Sequence, residues 1–185
     1  MAPDVKDDGG TAQRFRAAAL PYLDDVYTLA RYLLRDSHDA EDAVQECYLR
    51  AFRHFGTFRG GPIKPWLLAI LRNVCRAEYA RRSASAFVQS DEDKAAEECS
   101  QGIWEEAPSS PEAETLRHLD AATVRRLIAD LPPAFRETLV LREINDLSYR
   151  EIADVIGAPV GTVMSRLARG RALLRTAWLA EEKER

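Results

Sequence analysis

The segment from residue 141 to residue 175 carries the strongest structural signals in the chain. Ser148 and Glu151 have the S-x-x-E spacing of a capping box, which predicts that a helix begins at Tyr149. The Gly-Ala-Pro sequence at 157–159 ends this helix, because glycine suits the left-handed residue after a helix and proline suits the first turn of the next. Two short helices joined by a tight, glycine-containing turn are typical of a helix-turn-helix.

The second of these helices is predicted to carry the binding chemistry. Its apolar residues recur at helical spacing and are expected to pack inward: Val160, Val163, Leu167, Gly170 and Leu174. Between residues 159 and 180 the chain has four arginines and no acidic residue. A polar, cationic ridge on such a helix suits the major groove of DNA. The residues that form or flank this ridge are Thr162, Met164, Ser165, Arg166, Arg169 and Arg171. A solvated amphipathic helix is the alternative interpretation of the same pattern.

The net charge of −4 argues against nucleic-acid binding until its distribution is considered. Residues 13–85 hold 12 basic and eight acidic side chains, and residues 115–185 hold 12 basic and ten acidic ones. Residues 86–114 hold nine acids and one lysine, within a Ser-, Ala-, Glu- and Pro-rich sequence. The pattern predicts two basic regions joined by a flexible acidic linker.

Composition excludes several classes of protein. No apolar run is long enough to span a membrane and no signal peptide is recognisable, so a cytoplasmic protein without membrane insertion is expected. Cys47, Cys75 and Cys99 lack C-x-x-C pairing and form no cluster with histidines, which predicts no metal site. The absence of strand periodicity, phosphate-binding loops and nucleophile motifs predicts an all-α protein that is not an enzyme, with no cofactor and no small-molecule substrate.

A helix predicted from Ala40 to Phe55 has apolar residues at three- and four-residue steps. Its other face begins with Glu41, Asp42, Gln45 and Glu46 and ends with arginines. Acids in the first turn and bases in the last turn complement the helix dipole. A docking face for a basic partner is an equally good interpretation, and the sequence pattern leaves both open.

A glycine-rich loop at 56–64 carries Phe58 and Arg59, and a basic helix with Asn73 and Arg76 is predicted from Trp66 to about residue 82. An aromatic loop beside a basic helix suits unstacked single-stranded bases, because rings stack on bases and cations meet phosphates. A half-buried phenylalanine beside a solvated basic face fits the pattern equally well. Other helices are predicted at about 13–34, with a bend near Pro21, at about 116–131 and at about 133–144.

Together these motifs resemble the extracytoplasmic-function (group IV) sigma factors of the bacterial sigma-70 family. The resemblance covers about residues 13–85 and 112–178. It rests on DAEDAVQE at 39–46, WLLAILRN at 66–73, and LPPAFRETLVLREINDLSYREIADVIGAPVGTVMSRLARGRALLR at 131–175. It implies a sigma-2 domain at 13–85 and a sigma-4 domain at 113–180, both all-α, joined by the flexible acidic linker at 86–112. Residues 1–12, polar and without periodicity, are expected to be disordered.

The resemblance also implies a function and its residues. The family segment that docks on the β′ clamp helices of core RNA polymerase is matched by Asp39, Glu41, Asp42, Gln45 and Glu46. The part that captures a flipped base of the melted −10 element is matched by Phe58, Arg59, Asn73 and Arg76. Residues 162–169 match the helix that reads the duplex −35 element, and Arg171 flanks it. A sigma factor that directs promoter-specific initiation is therefore expected, with core polymerase, including its β flap, promoter DNA and an anti-sigma factor as partners.

The chain departs from the family at two positions of this helix. Met164 stands where family members often have Lys or Arg. Gly170 stands where Ala is common, and glycine lowers helical propensity by up to about 1 kcal/mol.

Two other functions fit parts of the sequence. One is a stand-alone helix-turn-helix regulator with residues 13–85 as a dimer or effector domain. The other is a mimic that sequesters an anti-sigma factor without using DNA. Binding to core polymerase distinguishes a sigma factor from the regulator, and run-off transcription distinguishes it from the mimic.

Overall fold

The structure, a computed structural model, describes residues 8–86 and 111–184, and within these ranges it contains helices and no strand. The helices are α1 (Asp8–Ala19), α2 (Leu23–Leu34), α3 (Ser37–His54), α4 (Ile63–Ala86), α5 (Pro111–Asp130), α6 (Pro133–Leu139), α7 (Tyr149–Ile156) and α8 (Val160–Glu184). Two 3₁₀ turns, Leu20–Tyr22 and Phe55–Thr57, and a π-helical turn, Val140–Ile144, link some of them. The predicted all-α fold is confirmed. Most of the predicted linker, residues 87–110, lies outside the described residues.

The predicted bend near Pro21 is confirmed as the 3₁₀ turn between α1 and α2. The chain is helical from Asp8, however, so the prediction of disorder for residues 8–12 is wrong; residues 1–7 lie outside the described ranges. The Arg14 guanidinium donates to the Gly10 carbonyl (3.4 Å) and to Thr11 Oγ1 (3.2 Å), which ties the first turns of α1 together. Low helical propensity at adjacent glycines hid this start from sequence reasoning.

In the first half of the chain, α2, α3 and α4 pack around a shared core. α3 begins at Ser37 rather than Ala40, because Asp36 Oδ1 accepts the Asp39 N–H at 2.9 Å and caps the helix. α4 begins at Ile63, with Pro65 inside its first turn, where the missing N–H of proline costs no hydrogen bond. Core side chains that are fully buried include Leu29, Cys47, Leu67 and Leu71.

The second half packs α5 to α8 around residues such as Leu141, Ile152, Val163 and Leu167. The single helix predicted at about 133–144 is divided into α6 and the π-helical turn, where the Asn145 N–H donates to the carbonyl of Val140 at 3.0 Å. This i to i+5 hydrogen bond makes a wider, π-helical turn just before the helix-turn-helix.

The two halves also pack against each other, α4 on α7 and α2 on α6 and the π-helical turn. Arg72 Nε donates to Glu137 Oε1 at 2.6 Å, and these side chains are only 14% and 11% exposed. The buried Asn145 amide donates to the Asp25 carbonyl (3.1 Å) and to its Oδ1 (3.2 Å). One continuous core therefore extends across both halves.

Candidate nucleic-acid and polymerase interfaces

The helix-turn-helix begins with the predicted capping box. Glu151 N–H donates to Ser148 Oγ (3.3 Å), and Ser148 N–H donates to Glu151 Oε2 (2.8 Å). These bonds, the Ser148 side-chain bond first, lower the pKa of Glu151 from its usual value. Gly157 ends α7 in the left-handed conformation with φ +63°. Pro159 lies just before α8 instead of in its first turn, and its carbonyl accepts from the N–H groups of Thr162 and Val163.

The two faces of α8 differ sharply in exposure. Val163, Leu167 and Gly170 are buried, as predicted, but Val160 is 40% exposed because it opens the helix beyond the reach of the core. The predicted ridge is open to solvent at Met164 (54% exposed), Ser165 and Arg169, whereas Thr162 and Arg166 are half-buried. The arrangement leaves a cationic and polar helix face available to a DNA groove.

Arg171 already has a partner within the chain. Its Nη2 and Nε donate to Glu143 Oε1 at 2.6 and 3.1 Å, which raises the pKa of Arg171 and ties α8 to the π-helical turn. Both side chains are about half exposed. A phosphate contact by Arg171 would therefore have to replace this ion pair.

Phe58 lies directly after the second 3₁₀ turn and is half-buried between two other rings. It is nearly parallel to Phe55 (centroids 6.3 Å apart, 11° between planes) and 4.9 Å from Trp66. Its N–H also donates to the Phe55 carbonyl at 3.1 Å. After the exposed Arg59, Gly60 and Gly61 have φ values of +88° and +101°, a backbone that residues with a β-carbon rarely adopt.

Asn73 and Arg76 are both exposed on α4. Asn73 follows Trp66 by seven residues, so the two lie on the same side of the helix about 10 Å apart along its axis. Asn73 therefore lies on the side of α4 that carries Trp66, the ring in contact with Phe58. Arg72, the neighbour of Asn73, instead points to Glu137 in the second half.

The acidic candidates on α3 form an accessible face. Glu41, Asp42 and Gln45 are exposed, and Asp39 and Glu46 are half-buried. Glu46 Oε1 accepts from Arg50 Nε at 2.6 Å, one turn later on the same helix. Asp36 caps the N-terminus of α3 and Asp39 lies in its first turn, so these two acids complement the helix dipole, whereas Glu46 lies beyond the first turn.

Sequence reasoning missed the contribution of α1. Phe15 is buried against Tyr48, Phe52 and Phe55, with ring centroids 5.3–6.2 Å apart. The signal was available, because Phe15 is the one large apolar side chain among residues 8–18. An isolated ring in an alanine-rich helix needs a core to cover it.

Two negative findings concern only residues 8–86 and 111–184. None of their helices combines the length and apolar character needed to cross a bilayer. These ranges also contain no group of three or more histidine, cysteine or carboxylate side chains placed to hold a metal ion. Cys47 and Cys75 are packed in the core, and burial raises the pKa of each thiol to about 12.

Comparison with known proteins identifies both halves of the chain. The sigma-70 region 2 family matches residues 19–85, and the sigma-70 region 4 family matches residues 121–174. The ECF RNA polymerase sigma-E factor of Escherichia coli is 35% identical over 167 residues, 88% of this chain and 85% of that protein. The RNA polymerase sigma-H factor of Pseudomonas aeruginosa is 34% identical over 172 residues, 91% of this chain and 88% of that protein. The chain belongs to the extracytoplasmic-function sigma factors of the sigma-70 family.

This membership confirms the resemblance predicted from the sequence motifs. The sigma factor also matches the ECF sigma factor SigE of Mycolicibacterium smegmatis at 34% identity over 157 residues, 83% of this chain, but spans only 57% of that longer relative. Two solved structures share its fold. Bartonella quintana RpoE, in complex with the anti-sigma factor NepR, has a TM-score of 0.74 at 24% identity, covering 90% of this chain and 97% of that one. CnrH, in complex with the cytosolic domain of CnrY, has a TM-score of 0.65 at 24% identity, covering 92% and 91%.

Proposed function

We propose that this sigma factor acts in the cytoplasm by binding core RNA polymerase and directing it to promoters, and that it catalyses no reaction itself. The observation that carries the proposal is that both sigma-70 regions occur in one chain, each with its candidate residues on an accessible face. The working units are a sigma-2 domain within residues 13–85, a linker at 86–112 and a sigma-4 domain within residues 113–180.

Three surfaces are proposed to bind polymerase, the melted −10 element and the duplex −35 element. The acidic face of α3, around Asp42, docks on the β′ clamp helices, and the second half contacts the β flap. Phe58 offers a ring on which an unpaired base can stack, while Asn73 supplies an amide and Arg59 and Arg76 supply cations for the backbone. The exposed ridge of α8 enters the major groove of the −35 element.

Promoter binding requires the two halves to separate. The −10 and −35 elements are, by their names, about 25 base pairs apart, which is about 85 Å along B-form DNA. The longest helix in the described ranges, α8, has 25 residues and is about 37 Å long, less than half of that distance, so we expect two halves in direct contact not to occupy both elements. Residues 87–110 can reach about 80 Å when fully extended, enough to connect separated domains. The packed arrangement is therefore the unloaded state.

An anti-sigma factor is the partner proposed to hold this state. Bartonella quintana RpoE, one of the two structural neighbours, was solved in complex with the anti-sigma factor NepR, and CnrH was solved in complex with the cytosolic domain of CnrY. Any ligand that binds the packed arrangement better than the separated one shifts the population toward the packed arrangement.

Reconstitution with core polymerase tests the main proposal. Run-off transcription from a cognate promoter should require both this chain and core polymerase. A stand-alone regulator would instead protect promoter DNA without polymerase, and a mimic would bind an anti-sigma factor but give no transcript. Either of those results would replace the sigma-factor proposal.

A second experiment tests the −10 surface. Phe58→Ala or Asn73→Ala should weaken open-complex formation on duplex promoters and should still weaken binding to a template melted in advance at −10, because capture of the base is impaired on both. Stacking on one ring is worth about 1–3 kcal/mol per base. Parental behaviour of both variants on both templates would place the base-capture pocket elsewhere.

A further inference from the structure

Phe58 belongs to a line of aromatic rings that starts in α1 and ends at Trp66. Phe15 contacts the Phe55 ring edge to face, with centroids 5.3 Å apart and 74° between the planes. Phe55 is in turn nearly parallel to Phe58, which contacts Trp66. Only one ring therefore separates α1 from the proposed base-capture side chain.

The loop that follows Phe58 does little to fix the ring. Gly60 and Gly61 follow within three residues, and a β-carbon at either position would meet no atom within 4 Å, so the loop is open on this side. The ring contacts with Phe55 and Trp66 and the bond from the Phe58 N–H to Phe55 are what hold it. The orientation of Phe55 therefore contributes, together with that of Trp66, to the surface that Phe58 presents.

Phe15 is well placed to set that orientation. It is 7% exposed and also contacts Tyr48 and Phe52 on α3, so its ring cannot move independently of the core. Tyr48 Oη donates to the Ala19 carbonyl at 2.9 Å, which fastens the end of α1 to α3. Edge-to-face pairs have a preferred geometry that an aliphatic side chain does not reproduce.

We infer that Phe15 is a positioning residue for base capture at the −10 element, acting through Phe55 on Phe58. This inference rests on the base-capture role proposed above for Phe58. α1 lies almost entirely before residue 19, where the match to sigma-70 region 2 begins, so it adds a determinant outside the matched region.

Epistasis between Phe15 and Phe58 tests the inference in the full-length chain with core polymerase. Phe15→Leu keeps an apolar side chain of similar size and should lower affinity for a template melted at −10 about 2- to 12-fold, the range expected for one aromatic pair. In a Phe58→Ala background the same substitution should have no further effect. Val26→Ala, a substitution at a buried aliphatic residue of α2, controls for general loosening of the core.

The outcomes separate the inference from the function beneath it. If Phe58→Ala itself has no effect, the base-capture role fails and the positioning role fails with it. If Phe58→Ala weakens binding but Phe15→Leu costs the same factor in both backgrounds, or no more than Val26→Ala, only the positioning role is overturned.

A spectroscopic measurement without DNA provides an independent readout. The chain has three tryptophans, and replacing Trp104 and Trp178 with Phe leaves Trp66 as the sole reporter beside Phe58. Phe15→Leu should increase acrylamide quenching of Trp66 fluorescence, because a loosened Phe58 covers the indole less well. Unchanged quenching in a variant that remains folded by circular dichroism would overturn the proposed connection.

Discussion

The helix-turn-helix and the Phe58 loop are both candidate DNA surfaces of this sigma factor, but different interactions shape them. The helix-turn-helix is set by its own sequence, since Ser148, Glu151 and Gly157 fix the ends of α7 and a ridge on α8 stays exposed. The Phe58 ring is held by Phe55 and Trp66, and behind them by Phe15 from a separate helix. Local sequence therefore shapes the helix-turn-helix surface, whereas the position of the Phe58 ring depends on packing against other helices.

The contact between the halves adds a second difference. α7 supports the helix-turn-helix and also packs on α4, the helix that carries Asn73. The α8 ridge stays exposed in this arrangement, whereas Arg72 of the first half forms an ion pair with Glu137 of the second. We therefore expect that mutation can separate the duplex-recognition role proposed for α8 from the base-capture role proposed for Phe58 and Asn73.

The largest expected effect comes from reversing charge on α3. Asp42→Lys combined with Glu46→Lys should lower affinity for core polymerase more than about 100-fold, because close charge pairs at interfaces couple by about 1.5–7 kcal/mol and reversal adds repulsion. Affinity of the same chain for a −35 duplex should not change. Fluorescence anisotropy with labelled chain measures both.

The helix-dipole interpretation gives the opposite result for these variants. It predicts a loss of stability of about 1 kcal/mol or less and parental affinity for core polymerase. Unchanged core binding would therefore remove α3 from the polymerase interface.

The next effect concerns the contact between the halves. Arg72→Ala leaves the Glu137 carboxylate buried without its partner, a loss of about 3–5 kcal/mol when a buried pair is broken on one side. Separation of the halves relieves that cost, so distance measurements between labels on α3 and α8 should shift to longer values. Arg50→Ala, which breaks the exposed pair with Glu46, is the matched control and should cost about 1 kcal/mol or less. Identical distance distributions for the two variants would contradict this role of the ion pair.

The sequence predicted the parts of the molecule that local rules decide. The capping box, the left-handed Gly157 and the bend at Pro21 each depend on residues within a few positions of one another. Arg72 and Glu137 are 65 residues apart in the sequence, and the periodicity of neither helix indicates that the two side chains meet. Contacts between elements that are individually amphipathic are decided by shape, which a single sequence pattern does not encode.

Arg169 tests whether the exposed ridge reads bases. Arg169→Ala should cost about 1–3 kcal/mol and relax preference at one position of the −35 element, as expected for an arginine that bonds guanine O6 and N7. A phosphate contact, predicted for Arg166 or Arg171, should instead weaken all sequences alike and reduce the salt slope by about one unit. Because Arg171 already bonds to Glu143, we expect its loss to matter less than that of Arg166. Selection of DNA sequences from a randomised duplex pool at two salt concentrations, with the full-length chain, distinguishes these roles. If the Arg169→Ala variant selects the same sequences as the parent chain, a different face of α8 meets the DNA.

The smallest expected effect is on stability, where helical propensity can be compared with side-chain packing at two glycines of one helix. Gly161 and Gly170 both lie in α8, and replacing a helical glycine with alanine should gain up to about 1 kcal/mol from propensity. At Gly161, in the first turn, a β-carbon meets no atom within 4 Å, so Gly161→Ala should raise the free energy of unfolding by part of that amount. At Gly170 a β-carbon would lie 2.9 Å from Cδ1 of Leu139, which is itself buried.

Overpacking of this kind costs about 1–3 kcal/mol, so Gly170→Ala should lower the free energy of unfolding despite the better propensity. Urea unfolding of the two variants measures the difference directly. A gain at both positions would mean that Leu139 moves aside easily and that local propensity governs the whole of α8. Opposite signs would show that Gly170 is fitted to the close approach of α6 in this chain.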